Sequence, residues 1–370
     1  MPDLAVIIPT LNEARQLPRL LTLLNRQTGL RLKIIVADGG SSDGTPIQAQ
    51  TAGVILVRSA AGRGRQMNAG AQRASTAYLL FLHADSYCEA PDTLAQALAA
   101  LKHAQQNASQ ERIAGHFPLR FDRSDPAAHR FGYRYMEEKS ALNRPYCQNG
   151  DQGLLLSSGY FRELGGFDES LPFFEDLRMA ERIHATGRWI TLPGVLHSSA
   201  RRLEQEGWLA RYRLMGLMVA AHGMSLQQFF QRAPQLYQQH NHSGRLLLSP
   251  YLRLFREIAH ELGGRATWEH LLRLGHFSRR HWWQLFFLAD VALRRWLGPD
   301  RYPTLKFYDR VIYPITANRL GDVITAVLAW LYGMGWLRLS FAFRERRLLN
   351  HDVHKEKIPP PPAGGGEGEG

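Results

Sequence analysis

Carboxylates and arginines recur where apolar runs end in the first half of this chain. Asp38 closes Ile34-Ile-Val-Ala-Asp38, Asp85 follows Tyr78-Leu-Leu-Phe-Leu82, and Pro9, Thr10 and Glu13 follow Leu4-Ala-Val-Ile-Ile8. Short apolar, β-branched runs that end in small polar or acidic residues deliver side chains to the carboxyl edge of a buried parallel sheet. Ligands of open α/β sheets bind at that edge. Arg63 and Arg65 lie in a Gly-rich turn ahead of a helix that contains Asn68 and Gly70. A planar guanidinium can bond two phosphate oxygens at once, so the pair suits a phosphate; a solvated surface pair is the competing reading. Glu175 and Asp176 open a helix, where the dipole alone would favour them. Neighbours on a helix point about 100° apart, so only one of the two can face a ligand.

The elements that must position these residues alternate. The pattern predicts strands at 4–9, 32–37, 54–57 and 78–82, with helices at about 13–26, 44–52 and 64–74 between them. That order implies a right-handed, mostly parallel, doubly wound α/β sheet. A helix near 91–104 follows Pro91, residues 113–121 read as one strand, and Leu154-Leu-Leu156 as another. The helix opened by Glu175 and Asp176 carries apolar Leu177, Ala180 and Ile183 at helical spacing. Gly39-Gly-Ser-Ser-Asp-Gly44 is a polar turn in which Gly40 lets backbone approach a ligand, although such a turn by itself is more often an ordinary loop. Thr10 or Asn12 could equally cap the first helix. Past about residue 205 the pattern is helical and rich in Trp, Tyr, Arg and Leu.

Taken in order, these motifs resemble the inverting family 2 glycosyltransferases of GT-A fold over roughly residues 3–225. Gly62-Arg-Gly-Arg-Gln-Met-Asn-Ala-Gly-Ala71, Phe81-Leu-His-Ala-Asp85, Gly150-Asp-Gln-Gly153 and Phe174-Glu-Asp-Leu177 are most similar to the bacterial radical-SAM/selenodomain-associated transferase subgroup. The resemblance implies a GT-A domain over 1–225 that binds a nucleotide diphosphate sugar. It places Pro9, Thr10 and Glu13 around the nucleoside and assigns Asp38 to the nucleobase imide, which favours uracil or thymine over cytosine. Arg63 and Arg65 would face the diphosphate, with Arg202, next to Arg201, closing over it. Ser198-Ser-Ala200 and Leu203 depart there from the subgroup's usual Gly and Trp. Asp151 and Gln152 would line the donor-sugar and acceptor pocket.

Asp85 matches the last acidic residue of the family's Asp-x-Asp metal motif, so a divalent ion, Mn²⁺ or Mg²⁺, would bridge it to the diphosphate. His83 replaces the first Asp. Imidazole suits Mn²⁺ or softer ions better than Mg²⁺, and His83 bonding only to ribose is the alternative. His197 could be a later ligand or simply structural. Asp176, with Glu175 beside it, matches the general base of inverting members. The implied reaction moves a sugar to a hydroxyl, phosphate or carboxylate acceptor, lipid-linked among the options. A nucleotidyltransferase would usually open with a Gly-rich loop and a basic residue after the first strand, where this chain has Pro-Thr-Leu-Asn-Glu13. A catalytically silent nucleotide-binding scaffold is the other rival, although Asp38, Asp85 and Asp176 are all present.

Charge is distributed unevenly. Residues 201–310 hold 17 basic and 8 acidic side chains, nine of the chain's twelve excess positive charges. Arginines interleaved with Trp, Phe and Leu suit an anionic membrane face or a phosphate-bearing acceptor; no nucleic-acid motif accompanies them. Residues 226–358 are therefore expected to form a helical, basic, aromatic-rich region suited to membrane association. Within it, Val323 to Leu337 is an uncharged stretch of 15 residues. A span needs about 20, so residues 323–343 read equally as a core helix, an in-plane helix or a span of the inner membrane. The Pro-, Gly- and Glu-only tail 359–370 is expected to be disordered. Two cysteines imply neither a disulfide framework nor a thiolate zinc site. No secretory signal is evident ahead of the first strand, so a cytoplasmic location, or the cytoplasmic face of the plasma membrane, is expected.

Overall fold

A computed structural model describes residues 2–108, 112–243 and 246–337. The described residues form two compact units, one from those within 1–208 and 288–301, the other from those within 209–287 and 302–337.

In the first unit, β1 (Leu4–Thr10), β2 (Leu32–Asp38), β3 (Ile55–Arg58) and β4 (Tyr78–Phe81) alternate with α1 (Leu17–Asn25), α2 (Thr45–Thr51) and α3 (Arg63–Arg73). β5 (Ser86–Tyr87), α4 (Thr93–Ala108), β6 (Ile113–His116), β7 (Leu119–Asp122) and α5 (Arg130–Ser140) come next. β8 (Leu154–Ser157), α6 (Ser158–Glu163), α7 (Glu175–Thr186), β9 (Arg188–Thr191), β10 (Leu196–Ser199) and α8 (Arg201–Glu206) complete the run. Seven strands form one sheet in the order β3-β2-β1-β4-β8-β6-β9, and β5-β10-β7 form a second. In the large sheet only β8 runs against its neighbours, pairing antiparallel with β4 and β6. This is the doubly wound, mostly parallel α/β sheet that the alternation and the GT-A resemblance predict.

β1 reads as a continuous apolar run because both its faces are covered. Leu4, Val6 and Ile8 join the core beneath α1 and α4. Ala5 and Ile7 join the opposite core with Met67 of α3 and Ile183 of α7. α3 lies so close to β1 that a Cβ on Gly70 would stand 2.5 Å from Ile7 Cγ2. Glycine there is what lets α3 bring its first turn up to the sheet edge.

One expectation fails. The single strand read over 113–121 is two strands in different sheets, β6 and β7. Pro118 has no N–H and cannot continue a ladder on that side. Phe117 donates instead to Gln152 O at 3.0 Å, and Pro118 O accepts from Leu196 N at 2.9 Å, so the chain changes sheets at the proline.

The second unit is helical: α9 (Trp208–Gly223), α10 (Gln227–Ser243) and α11 (Ser249–Arg279), with α12 (Trp283–Ala292) and α13 (Arg294–Leu297) leading through the returning segment. α14 (Pro303–Phe307) continues through a π turn at Tyr308–Ile312 into α15 (Tyr313–Thr316), followed by α16 (Arg319–Leu331). Its core collects Leu214, Phe229, Tyr251, Leu254 and Ile258. The helical C-terminal region is thus present as expected. No helix among the described residues is long and apolar enough to cross a membrane. Residues 338–343 of the borderline stretch, and the tail 359–370, lie outside the described residues.

Candidate functional site

The carboxyl ends of β1 and β2 are held by their own loops. Asp38, 2% exposed, accepts from Gly40 N and Ser41 N at 3.0 Å through one oxygen. Its other oxygen takes the hydroxyls of Ser41 and Thr10. Asn12, Asp43 and Thr45 then tie this turn to the loop after β1: Asn12 Oδ1 accepts from Ser42 N, Asp43 Oδ2 from Ala14 N, and Thr45 Oγ1 from Glu13 N. Asp38 therefore anchors its loop. A nucleobase would have to displace one of these donors to reach it. Thr10, 1% exposed, belongs to the same lock, and Pro9 is buried in β1 opposite Ala37. Gly40 is exposed with φ +92°, a left-handed conformation that glycine adopts freely.

Sequence reading missed the residue that fastens the two strand ends together. Gln66 of α3 is 3% exposed and donates to Thr10 O at 2.6 Å and to Ala37 O at 3.0 Å. Asn68, two positions on, brackets Phe167 through its N–H and C=O, both at 2.9 Å. The available signal was a glutamine four residues from Gly70, on the face of α3 that must meet the sheet.

Asp85, just beyond β4, is half-buried and has no hydrogen bond or ion pair with any described residue. Glu13 lies within its electrostatic reach. Burial pushes the Glu13 carboxyl up, and the Asp85 charge adds to that, while Arg201, Arg202 and His83 oppose it. Two unpartnered carboxylates with arginines close by fit a site for a hard cation and an anion. No cluster of three or more ligating side chains occurs among the described residues. A magnesium-like ion held by one or two carboxylates, with phosphate oxygens and water completing its shell, needs no such cluster. Arg65 is exposed, whereas His197 is engaged elsewhere: its Nδ1 meets Asp122 Oδ1 at 3.0 Å and its ring stacks on Tyr87 at 5.0 Å.

His83 is 14% exposed in its side chain, with Nδ1 3.0 Å from Asp151 Oδ1. Burial pulls the imidazole pKa down, but the Asp151 hydrogen bond and charge outweigh it and the net direction is up. Burial likewise pushes Asp151 up, and the bond and charge of His83, with the charges of Arg63 and Arg202, carry it below the usual carboxylate value. Asp151 sits in a short 3₁₀ turn, Gly150–Gln152, closed by a capping box between Asn149 and Gln152. Gln152 is fully buried and donates to Ser140 O and Cys147 O, both at 3.0 Å. These bonds clamp the turn from beneath, and Gln152 is not among the residues that line the cavity at Gly150.

Gly150 is the meeting point. A Cβ there would stand 2.8 Å from His83 Nε2 and 3.1 Å from Asp176 Oδ2, and its N–H donates to that Asp176 oxygen at 2.7 Å. Asp176 Oδ1 accepts from Leu177 N at 2.8 Å. His83, Gly150 and Asp176 line one cavity with Met67, Phe167 and Trp189. Glu175 turns the other way: its side chain is 3% exposed, and its Oε1 lies 2.8 Å from Arg63 Nε. Only one member of the acidic pair faces the cavity, as the helical angle requires. The Glu175 carboxylate is thus paired with the first residue of α3 and is not among the residues that line the cavity. Arg63 serves as its counter-ion from a half-exposed position.

Burial pushes the Glu175 carboxyl above its ordinary value of 4.5, with Asp176 adding to the rise and Arg63 opposing it. In Arg63→Met the opposing charge is gone, so the folded-state pKa moves further up. A group raised in the folded state stabilises fully below its unfolded pKa, and that contribution is lost as pH rises through the folded value. The variant's stability deficit, read from denaturant unfolding, should therefore grow from pH 5 to pH 8. Its size at the upper end should be about 1–3 kcal/mol, less than for a fully buried pair because Arg63 is 44% exposed. A deficit of equal size at both pH values would dismiss the electrostatic account. The two cysteines take no part: burial pushes Cys88 up to about 12 and Cys147 up to about 11.

Residues 5–153 match the family model described as Glycosyl transferase family 2. The chain is 38% identical over 105 residues to the PGL/p-HBAD biosynthesis glycosyltransferases of Mycobacterium bovis (strain BCG / Pasteur 1173P2) and Mycobacterium tuberculosis (strain ATCC 25177 / H37Ra), a match covering 26% of this chain. It spans only 41% of the length of those relatives. Among solved structures, the mannosyltransferase PcManGT from Pyrobaculum calidifontis in complex with GDP-Man and Mn²⁺ is 21% identical, with a TM-score of 0.46, covering 90% of this chain and 87% of that one. S. aureus TarS 1-349 in complex with UDP is 15% identical, with a TM-score of 0.46, covering 83% and 91%. What the sequence matches tie to glycosyl transferase family 2 is the segment 5–153, the part of the chain that builds β1 to β7 and carries Asp38, Asp85 and Asp151.

Proposed function

We propose that this protein is an inverting glycosyltransferase that moves a sugar from a nucleotide diphosphate donor to an acceptor hydroxyl, within the subgroup its motifs resemble. The observation that carries the reading is the convergence, at one sheet edge, of two unpartnered carboxylates, Glu13 and Asp85, with arginines and with an Asp176 held by the Gly150 N–H. The family match of segment 5–153 and the names of the mycobacterial relatives support the reaction class.

In this mechanism Asp176 accepts the acceptor's hydroxyl proton as that oxygen forms its bond to the anomeric carbon. The bond from that carbon to the donor phosphate oxygen breaks on the opposite face, and the diphosphate leaves with the electron pair. Asp85, with Glu13 behind it, would hold a divalent ion, which when bound neutralises charge developing on the leaving group. Arg65 and Arg202 approach the same anion as bidentate donors, and Arg63, held by Glu175, fixes the start of α3. Asp151 sets the orientation of His83 against Gly150. Met67, Phe167 and Trp189 give the cavity beside Asp176 an apolar wall.

Uridine is the nucleoside that the resemblance attaches to Asp38. Because that carboxylate is engaged within its loop, guanosine has to be tested beside it. In calorimetric titrations of UDP and GDP with and without Mn²⁺, one nucleotide should bind, and more tightly with the metal. Absence of binding by either nucleotide under both conditions would overturn the reading and favour a silent scaffold.

A further inference from the structure

α16 is amphipathic the wrong way round for a helix of a water-soluble bundle. Its inward face is built from Gly321, Thr325 and Ala326, all buried. Its outward face carries Leu320, Ile324, Val327, Leu328 and Leu331, which are 40–68% exposed and recur at spacings of four, three, one and three. A soluble helix normally presents its large aliphatic residues to the core. This orientation is enforced by the packing. A Cβ on Gly275 of α11 would stand 2.2 Å from Asp322 O and 2.8 Å from the Ala326 Cβ, so the two helices meet backbone to backbone. The ion pair from Arg279 Nε to Asp322 Oδ1 at 2.5 Å and the contact of His276 Nδ1 with Asp322 Oδ2 at 3.1 Å lock the rotation. Turning α16 to bury its leucines would break all of these.

The preceding segment repeats the pattern. Phe307, Val311 and Ile315, four residues apart, are 37–67% exposed. The end of α15 touches the start of α16, since a Cβ on Gly321 would meet Thr316 O at 2.2 Å. Two adjacent apolar stripes of one unit therefore face outward, far beyond the single exposed side chains normal on a soluble surface. Lys306, Arg310 and Arg319 are exposed on the same segment, whose acids are Asp309 and the paired Asp322.

We propose that the outward face of residues 307–331 docks on an anionic lipid bilayer, with α16 lying in the plane of the interface. An in-plane placement fits better than a crossing, because no helix among the described residues is long and apolar enough to span the roughly 30 Å of a hydrocarbon core. An apolar face with cationic residues beside it matches acyl chains below and acidic headgroups above. A second copy of the chain fits less well, because a two-fold interface would press each basic segment against its own duplicate. Docking uses residues remote in sequence from the proposed chemistry, so it stands or falls separately from glycosyl transfer.

The test is flotation of the full chain with phosphatidylcholine vesicles, with and without phosphatidylglycerol. The protein should float with the anionic vesicles, less so at high salt. Ile324→Glu combined with Leu328→Glu should weaken this at least about tenfold while leaving the melting temperature and nucleotide binding unchanged, since both positions are already exposed. Arg310→Glu with Arg319→Glu should abolish the preference for anionic over neutral vesicles. Failure of the wild type to float, or undiminished flotation of the Ile324/Leu328 variant, would overturn the proposal. So would a lipid-free dimer in sedimentation velocity that the same variant dissociates, which would give the face to a second copy.

Discussion

Asp176→Asn should lower sugar transfer by a factor of roughly 10² to 10⁴, the usual worth of a positioned general base, while leaving nucleotide affinity within a few-fold. The amide keeps the shape of the side chain and one acceptor oxygen, so it can still take either the Gly150 or the Leu177 N–H. It cannot accept the hydroxyl proton. Losing one of the two backbone hydrogen bonds costs about 1 kcal/mol, which a thermal melt would register without loss of the fold. Transfer rates with the donor identified by titration, set beside calorimetry on the same variant, separate the possibilities. Equal loss of binding and transfer would make Asp176 a structural cap of α7. Undiminished transfer would remove it from the chemistry.

The second large effect is expected at Asp85. Asp85→Ala should erase the metal-dependent increment in nucleotide affinity and lower transfer at least about a hundredfold, because several kcal/mol of charge stabilisation on the leaving diphosphate go with it. The structure adds a consequence for Glu13. Burial is the first cause of that carboxyl's raised pKa and the Asp85 charge the second, so removing Asp85 leaves Glu13 easier to ionise. The variant's fold should persist, since Asp85 makes no hydrogen bond to a described residue. Retention of metal-linked binding in Asp85→Ala would shift the ligand role to Glu13 or place the cation elsewhere.

Much of the sheet was legible because its local signals are strong. Seven strands and helices between Leu4 and Phe81 fall within a few residues of where alternation, Gly-rich turns and apolar runs put them. The strand read over 113–121 failed because Pro118 ends one ladder and the chain enters another sheet, a choice made by strands 30 to 80 residues further along. Gln152 was expected in the pocket because it belongs to the Gly150-Asp-Gln-Gly153 motif that carries the resemblance. Its burial follows from the capping box with Asn149 and from Ser140 and Cys147 beneath it, partners that no local pattern announces. Gln66 went unnoticed for the same reason: its two acceptors lie at the ends of β1 and β2.

The sequence by itself indicated which chemical groups reach the sheet edge, because short β-branched apolar runs that end in polar residues, alternating with helical patterns and Gly-rich turns, read as parallel strands. It also determined that one of Glu175 and Asp176 would turn away from the other, since helical geometry separates them. The motif resemblance pointed to Asp176 as the one facing the acceptor, and the tertiary contacts supply the physical reason. Arg63 draws Glu175 beneath α3, and the Gly150 N–H holds Asp176 in the cavity. Tertiary structure alone decided the case of α16, where composition left core, interface and span equally open. Gly275 and the Arg279–Asp322 pair fix the helix rotation, and the leucines face outward because the contact with α11 leaves room only for small side chains.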